Sequence, residues 1–268
     1  MPSDLAILSG AGALPPDLAN AYPDALCITF TGIAHSLTGR TEDHSFDRLG
    51  SLFTTLKERG IRRVVLAGSM HRPALNPENF DAFMLRIAPQ LVAAFKLGDD
   101  GLLRFVIKMF ETQGFTVCGA HELLPELTAT AGIVSQVAPL PEHLEDIDRG
   151  LALLGLLSEA DIGQSSVFEN GLCLGVETLQ GTDALLGFVA QTPPNLRRGH
   201  RGVLVKAPKT GQDLRVDMPA IGPDTIRAVQ VAGLAGLAIA AGRVLVLEPD
   251  QTRALVSEFG LFFVAREI

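Results

Sequence analysis

The chain has 268 residues, 47% hydrophobic and 19% charged, which is enough to bury one large or two medium cores and excludes general disorder. Its formal net charge of −8 argues against a nucleic-acid partner, because phosphate neutralisation needs a basic surface. No apolar run reaches the roughly 18 residues of a membrane span, and the N-terminus lacks the basic segment of a signal peptide. Cys27, Cys118 and Cys173 are far apart in apolar segments, which predicts reduced, buried thiols in a cytoplasmic protein.

Short apolar runs alternate with amphipathic segments in the first half of the chain. This alternation is typical of a parallel sheet covered by helices, with ligand loops at the carboxyl ends of the strands. We therefore predict an α/β, Rossmann-like N-terminal domain. Its predicted strands are 5–8, 26–30, 64–67 and 115–118, and its predicted helices are 16–21, 46–59, 80–95 and 102–113.

The segment from Thr128 to Pro141, TATAGIVSQVAPLP, lacks helical periodicity and suggests a domain boundary. We assign 1–130 to the N-terminal domain, 131–141 to a linker and 142–268 to a C-terminal α/β domain with a mixed sheet. Asn170-Gly171 between two apolar runs predicts a β-hairpin. The predicted strands are 166–169, 172–176, 203–206, 237–240, 244–247 and 261–264, and the predicted helices are 143–159, 182–190, 224–232 and 250–259.

The loop after the first predicted strand reads Gly10-Ala11-Gly12-Ala13-Leu14-Pro15. Its glycines would let the backbone approach a ligand, and the following helix would offer N–H groups to a phosphate. The dinucleotide fingerprint is weak, because Pro15 replaces the third glycine and no acid follows the second strand. A tight turn and a nucleotide contact both stay open here.

Two further loops have a functional and a structural interpretation. His71 and Arg72 follow a predicted strand and would contact an anion or form a solvated loop. Asp99 or Asp100 would cap the helix predicted at Leu102 or serve a functional role.

Glu177, Thr182 and Asp183 form another candidate group around a predicted helix start. Thr182 and Asp183 would simply start the helix at Ala184, or Glu177 and Asp183 would converge on one cation. Mg²⁺ needs only one or two protein carboxylates together with phosphate oxygens of a substrate. Both interpretations stay open.

The segment from Lys206 to Pro219, KAPKTGQDLRVDMP, is the most informative. Apolar and polar residues alternate over 212–218, which predicts an extended strand with Asp213, Arg215 and Asp217 on one face. The two acids would then be about 13 Å apart and could not share one Mg²⁺. One would be a ligand or water-orienting base, and we favour Asp217; the other would pair with Arg215. The histidines lack zinc-ligand spacing.

Several segments, in this order, resemble the LpxI family: LAILSGAGALP, GDDGLLR, DIGQSSVFENGLCLGVE, GTDALL and LVKAPKTGQDLRVDMPAIGPDTI. These proteins are UDP-2,3-diacylglucosamine pyrophosphatases of lipid A synthesis. The resemblance implies Mg²⁺-dependent hydrolysis to UMP and 2,3-diacylglucosamine 1-phosphate, in a cleft between two α/β domains. The chain departs from the pattern at Gln180, where an acid is expected, and at Gly187, where an Arg is expected.

The resemblance and the sequence patterns described above together give the candidate site residues. Catalysis falls to Asp217, Asp213 and Arg215, and metal binding to Asp217, Asp183 and Glu177. Substrate binding falls to Gly10, Gly12, Ala13, Leu14, Lys206, Lys209, Gln212 and Thr182.

Two other classes of protein stay open: a Rossmann-type oxidoreductase that uses the glycine loop, and a non-catalytic module that binds a nucleotide or a lipid-sugar. A lipid substrate further predicts transient contact of a cytoplasmic protein with the inner membrane. The sequence leaves the formation of a homo-oligomer undecided.

Overall fold

The computed structural model describes residues 3–96, 98–197 and 201–268, without the side chains of Asp99 and Asp100. The chain divides into two compact units. The N-terminal unit comprises Met1–Pro125 and Arg215–Asp217, and the C-terminal unit comprises Glu126–Leu214 and Met218–Ile268. A short piece of the Lys206–Pro219 segment therefore packs with the N-terminal unit.

The N-terminal unit is built on a five-stranded sheet in which every pairing is parallel. The strand order is β3-β2-β1-β4-β5, which is the Rossmann order for its first five strands, and it confirms the predicted fold of this domain. The strands are β1 (Leu5–Ser9), β2 (Leu26–Phe30), β3 (Glu42–His44), β4 (Arg63–Ala67) and β5 (Thr116–Cys118).

Helices cover this sheet, and their apolar faces form its core with the strands. They are α1 (Leu14–Ala21), α2 (Leu49–Glu58), α3 (Ala82–Phe95), α4 (Gly98–Thr112) and the short α5 (Ala120–Leu123). The helix predicted over 46–59 is interrupted, because Phe46–Arg48 form a 3-10 turn before α2 begins. Helix α4 begins at Gly98, before the predicted start, and the side chains of Asp99 and Asp100 lie outside the described residues.

The C-terminal unit contains a six-stranded mixed sheet in the order β6-β13-β11-β9-β7-β8, beside a parallel pair, β10-β12. Strands β9, β11 and β13 are parallel, whereas β6, β7 and β8 pair in antiparallel fashion. The strands are β6 (Gly132–Ile133), β7 (Ser165–Glu169), β8 (Leu172–Val176), β9 (Val203–Lys206), β10 (Ala220–Ile221), β11 (Gly236–Ala240), β12 (Leu245–Val246) and β13 (Phe262–Arg266).

The helices of the C-terminal unit are α6 (Pro141–Ser158), α7 (Gly181–Ala190), α8 (Pro223–Val231) and α9 (Pro249–Glu258). The mixed α/β character of this unit confirms the prediction. So does the hairpin between β7 and β8, since Asn170 and Gly171 both have positive φ, at 48° and 79°. The buried carboxylate of Asp146 accepts hydrogen bonds from both turn N–H groups at 2.7 Å.

Two expectations about the chain are wrong. The segment 212–218 is not a strand, because residues 214–216 form a turn and Val216 packs against the core of the N-terminal unit. The alternating polarity belongs to a loop whose residues pack in different units. The preceding strand, β9, offers no free edge for pairing, because β11 and β7 flank it.

The predicted burial of all three cysteines is also wrong. The cysteines are free, but only Cys118 is buried; Cys27 is half-buried and Cys173 is exposed. None of the described helices combines the length and apolar character that a membrane crossing requires.

Candidate functional site

The glycine loop lies where the N-terminal sheet changes winding direction, between β1 and β4. In sheets of this type ligands bind at that point, beyond the carboxyl ends of the strands. Gly10 N–H donates to Ala67 O at 2.8 Å, and Ala11 and Ser69 exchange two backbone hydrogen bonds at 3.0 and 2.8 Å. A Cβ at Gly10 would overlap the Ser69 carbonyl, so only glycine allows this close approach.

This loop offers few N–H groups for a phosphate. The N–H of Gly12 donates to Ser36 Oγ at 2.8 Å, and Gly10 N–H is used by Ala67. Pro15 and Pro16 have no N–H at the start of α1, where Ala13 is the N-cap residue. The four predicted residues Gly10, Gly12, Ala13 and Leu14 are thus together at the expected edge, with only Ala13 and Leu14 left as backbone donors among them. His71 and Arg72, in the neighbouring loop, are exposed.

A second group of predicted residues comes together within the C-terminal unit, at the carboxyl end of β9. The Lys206 ammonium donates to Thr182 Oγ1 at 2.6 Å, and the Thr182 hydroxyl donates to Glu177 Oε2 at 2.6 Å. Lys206 Nζ is 3.9 Å from the same carboxylate oxygen. Ser165 Oγ lies 3.3 Å from Thr182 Oγ1. We call Lys206, Thr182, Glu177 and Ser165 the lysine cluster.

Burial gives the lysine cluster unusual electrostatics. Lys206 is only 8% exposed, and burial lowers the pKa of its ammonium, while the nearby carboxylates of Glu177 and Asp183 oppose that shift. The sequence suggested that these two acids converge on one cation, and in the structure the charges of both act on the Lys206 ammonium. Charge interactions in so dry a place are stronger than at the surface.

The predicted place of Thr182 and Asp183 at the start of a helix is confirmed, although the helix begins before Ala184. Helix α7 begins at Gly181, and Gln180 occupies its N-cap position without a side-chain cap hydrogen bond. Thr182 lies in the first turn, and its hydroxyl is directed to Glu177 instead of the backbone. The first-turn N–H groups of α7 are therefore left without a side-chain cap, beside a buried ammonium.

The loop after β9 is held by several polar contacts. Gln212 Oε1 accepts the Lys209 N–H at 2.8 Å, and Gln212 N–H donates to Lys209 O at 3.2 Å. The Lys209 ammonium pairs with Asp161, and Thr210 N–H donates to Ser158 Oγ at 2.6 Å. Lys209 and Gln212 thus shape the loop that follows Lys206.

The predicted row of Asp213, Arg215 and Asp217 does not lie on one strand face. Asp213 belongs to the C-terminal unit, whereas Arg215 and Asp217 belong to the N-terminal unit, and all three are half-buried. Arg215 Nη1 donates to Glu111 Oε1 at 2.8 Å, so a glutamate far away in the sequence is an acidic partner of this arginine.

Two residues near these groups were not singled out from the sequence. Ser165 reaches the lysine cluster because β7 and β9 are antiparallel and pair Ser165 with Lys206. His121 follows β5, and a Cβ at Gly119 would overlap its ring and lie 3.3 Å from Arg215 Cα. The Nδ1 atom of His121 is buried without a hydrogen-bond partner among the described atoms. The order of residues alone carries no signal for either contact.

Carboxylate oxygens are suitable ligands for Mg²⁺, and Glu177 and Asp183 supply them around the start of α7. Among the residues described, no three His, Cys, Asp or Glu side chains are grouped closely enough to hold a metal by themselves. The donor set fits a cation that takes one or two carboxylates and completes its shell with other oxygens.

The sequence was compared with protein families and with known proteins. Residues 4–127 match the LpxI N-terminal domain, and residues 130–264 match the LpxI C-terminal domain. The chain is also 39% identical to a Caulobacter vibrioides protein named UDP-2,3-diacylglucosamine pyrophosphatase LpxI, over 96% of this chain and 95% of that protein. These matches cover both units and nearly all of the sequence, and on them the chain belongs to the LpxI family.

Proposed function

We propose that this protein hydrolyses the pyrophosphate bond of UDP-2,3-diacylglucosamine and releases UMP and 2,3-diacylglucosamine 1-phosphate. The Caulobacter relative, 39% identical over almost the full length, carries the name of a pyrophosphatase for this compound. The structural observation that carries the proposal is the buried Lys206 beside the uncapped first turn of α7. Both features favour a phosphate, which is what a pyrophosphatase must bind.

Lys206 would bind and stabilise phosphoryl oxygens as negative charge develops on them. An ammonium has three N–H donors, and the one directed to Thr182 leaves two for a ligand. Thr182 and Glu177 keep the ammonium in place before the substrate arrives, and such preorganised charge in a dry site is the largest contribution to many enzymatic rates. Lys209 and Gln212 would position the loop that borders the same ligand.

Asp217 would orient the attacking water and accept its proton, with Asp213 as the second carboxylate of the signature. Arg215, held by Glu111 at 2.8 Å, would provide a positive charge with a fixed position. A carboxylate that accepts a proton from water typically contributes 10²–10⁴-fold to a rate. The backbone of Gly10, Gly12, Ala13 and Leu14 would contact the nucleotide part.

We further propose that Mg²⁺ takes part, held by one or two of the candidate carboxylates of Asp183, Glu177 and Asp217 together with phosphate oxygens of the substrate. When bound, the cation would offset the charge of the phosphoryl oxygens. Glu177 already faces Lys206 at 3.9 Å, so Asp183, exposed in the first turn of α7, has the more accessible carboxylate.

The test measures UMP release from UDP-2,3-diacylglucosamine, with and without EDTA. We expect Asp217→Ala to lower kcat at least 100-fold, Asp213→Ala and Asp183→Ala to lower it less, and EDTA to abolish turnover. Asp250→Ala is the matched control for Asp183→Ala, because Asp250 is also an exposed acid in the first turn of a helix of the same unit.

Three outcomes would contradict the proposal. Wild-type protein that binds the compound but releases no UMP is a binding module and not a pyrophosphatase. Full activity in Asp217→Ala with an unchanged melting temperature would remove the catalytic assignment. Full activity after EDTA treatment would remove the metal alone.

A further inference from the structure

Helix α3 lies at the carboxyl edge of the N-terminal sheet at both of its ends. At its start, the Asp81 carboxylate caps Met84 N–H at 2.8 Å and accepts the N–H of Ser51 at 3.1 Å. Ser51 lies in the first turn of α2, which follows β3 and the 3-10 turn. At its end, Phe95 lies under the guanidinium of Arg72, 5.7 Å from the ring centre, in the loop after β4. Helix α3 therefore runs along the edge that carries the glycine loop.

Helix α3 is apolar on two sides, and only one of them faces the core. Met84, Ile87 and Leu91 pack into the N-terminal core. On the other side Leu85 and Val92 are 60% and 56% exposed, and Pro89 between them is exposed as well. Positions 85, 89 and 92 have the i, i+4, i+7 spacing of one helix face. An exposed apolar stripe of this kind indicates an interaction surface.

The charged residues within helix α3 and its C-cap are basic. Residues 82–96 contain Arg86 and Lys96 and no acid, in a chain whose net charge is −8. Both cations are exposed, and the Arg86 guanidinium lies over the Phe83 ring at 5.2 Å from its centre. Apolar side chains flanked by Lys and Arg are typical of helices that lie in the interface of an anionic lipid bilayer.

We propose that the outer α3 face, formed by Leu85, Pro89 and Val92 with Arg86 and Lys96, docks on an anionic phospholipid surface. The choice of a membrane as partner rests on the proposed function, since a substrate with two acyl chains resides in a bilayer. Docking through α3 would bring the carboxyl edge of the N-terminal sheet, with its glycine loop, to the lipid surface. The cations would interact with phosphate headgroups while Leu85 and Val92 enter the interface.

The first experiment measures binding of the full chain to sedimented vesicles of phosphatidylcholine, with or without about one quarter phosphatidylglycerol. We expect wild-type protein to bind the anionic vesicles, and Leu85→Glu/Val92→Glu to bind roughly 10- to 100-fold less. Arg86→Gln/Lys96→Gln should lose the preference for phosphatidylglycerol. Leu156→Glu and Val231→Glu, at exposed apolar positions of helices in the C-terminal unit, should bind like wild type.

The second experiment separates docking from catalysis. Leu85→Glu/Val92→Glu should hydrolyse UDP-2,3-diacylglucosamine in detergent micelles at the wild-type rate and the same compound in vesicles at least ten-fold more slowly. If no protein releases UMP in either medium, the proposed function fails while the vesicle-binding result still decides the docking surface. The inference is overturned if Leu85→Glu/Val92→Glu binds anionic vesicles like wild type. It is also overturned if light scattering shows that this change only converts a dimer to a monomer.

Discussion

Replacing Lys206 with Met tests the electrostatics of the lysine cluster directly, because it keeps an aliphatic side chain and removes the buried ammonium. Glu177, whose side chain is 13% exposed, would lose the cation 3.9 Å away, and Asp183 would lose the same counter-charge. Removing one partner of a buried ion pair costs about 3–5 kcal/mol. Thr182 still donates to Glu177 at 2.6 Å, so we expect the lower end, about 3 kcal/mol of unfolding free energy.

Lys209→Met is the matched control for this change. Lys209 is three residues further along the chain, in the loop after β9, but its partner Asp161 is 57% exposed, so the pair is screened by water. Such a pair contributes about 0–1 kcal/mol. The double variant Lys206→Met/Glu177→Gln should recover more than half of the loss, because it leaves no buried carboxylate opposite the missing cation.

Urea unfolding followed by far-ultraviolet circular dichroism at neutral pH gives the free energies of wild type, Lys206→Met, Lys209→Met, Glu177→Gln and the double variant. The reasoning is refuted if Lys206→Met and Lys209→Met lose the same stability, or if Glu177→Gln adds its own loss to that of Lys206→Met with no coupling between the two.

Three further predictions concern stability. The pKa of Lys206 is lowered from 10.5 by burial, so the unfolded chain holds this proton to higher pH than the folded chain. The contribution of Lys206 to the free energy of unfolding should therefore rise as the pH increases from the lowered pKa towards 10.5, and it should be lost as the pH drops through the lowered pKa. Proton uptake on unfolding at alkaline pH should be larger for wild type than for Lys206→Met, and equal uptake would contradict this prediction. Gly10→Ala should cost about 1–3 kcal/mol, because its Cβ would overlap the Ser69 carbonyl, whereas Gly39→Ala meets open space; equal melting temperatures would contradict this. Gly187→Ala, in the middle of α7 with open space around its Cβ, should stabilise by about 0.5–1 kcal/mol, and a lower melting temperature would show that this glycine has another role.

The fold could be predicted from the sequence because its elements are periodic and locally bounded. The predicted strand at 203–206 coincides with Val203–Lys206, and the one at 26–30 coincides with Leu26–Phe30. Both are short apolar runs of the kind that buried parallel strands require. Asn170-Gly171 specified its hairpin because both residues tolerate positive φ.

The site was less predictable, since side-chain contacts depend on register and on loops. Lys206, Thr182 and Glu177 were each singled out, but the hydrogen bonds that join them follow from the ends of three separate elements. Ser165 joins them through the antiparallel register of β7 on β9. The alternation at 212–218 misled the prediction because polarity of period two describes a strand only where a partner strand is available.

The environment of Val216 shows that the boundaries of the sequence domains differ from those of the compact units in the structure. The sequence match to the LpxI C-terminal domain includes residues 215–217, yet Arg215–Asp217 pack with the N-terminal unit. Val216 contributes to the N-terminal core and Arg215 pairs with Glu111 of α4. A fragment that ends at Pro125 would lack both contacts. The backbone of Asp217 thus packs with the N-terminal unit, although the sequence before Arg215 and after Asp217 belongs to the C-terminal unit. A catalytic role of Asp217 would therefore depend on the stability of the N-terminal unit, although the flanking sequence folds into the C-terminal unit.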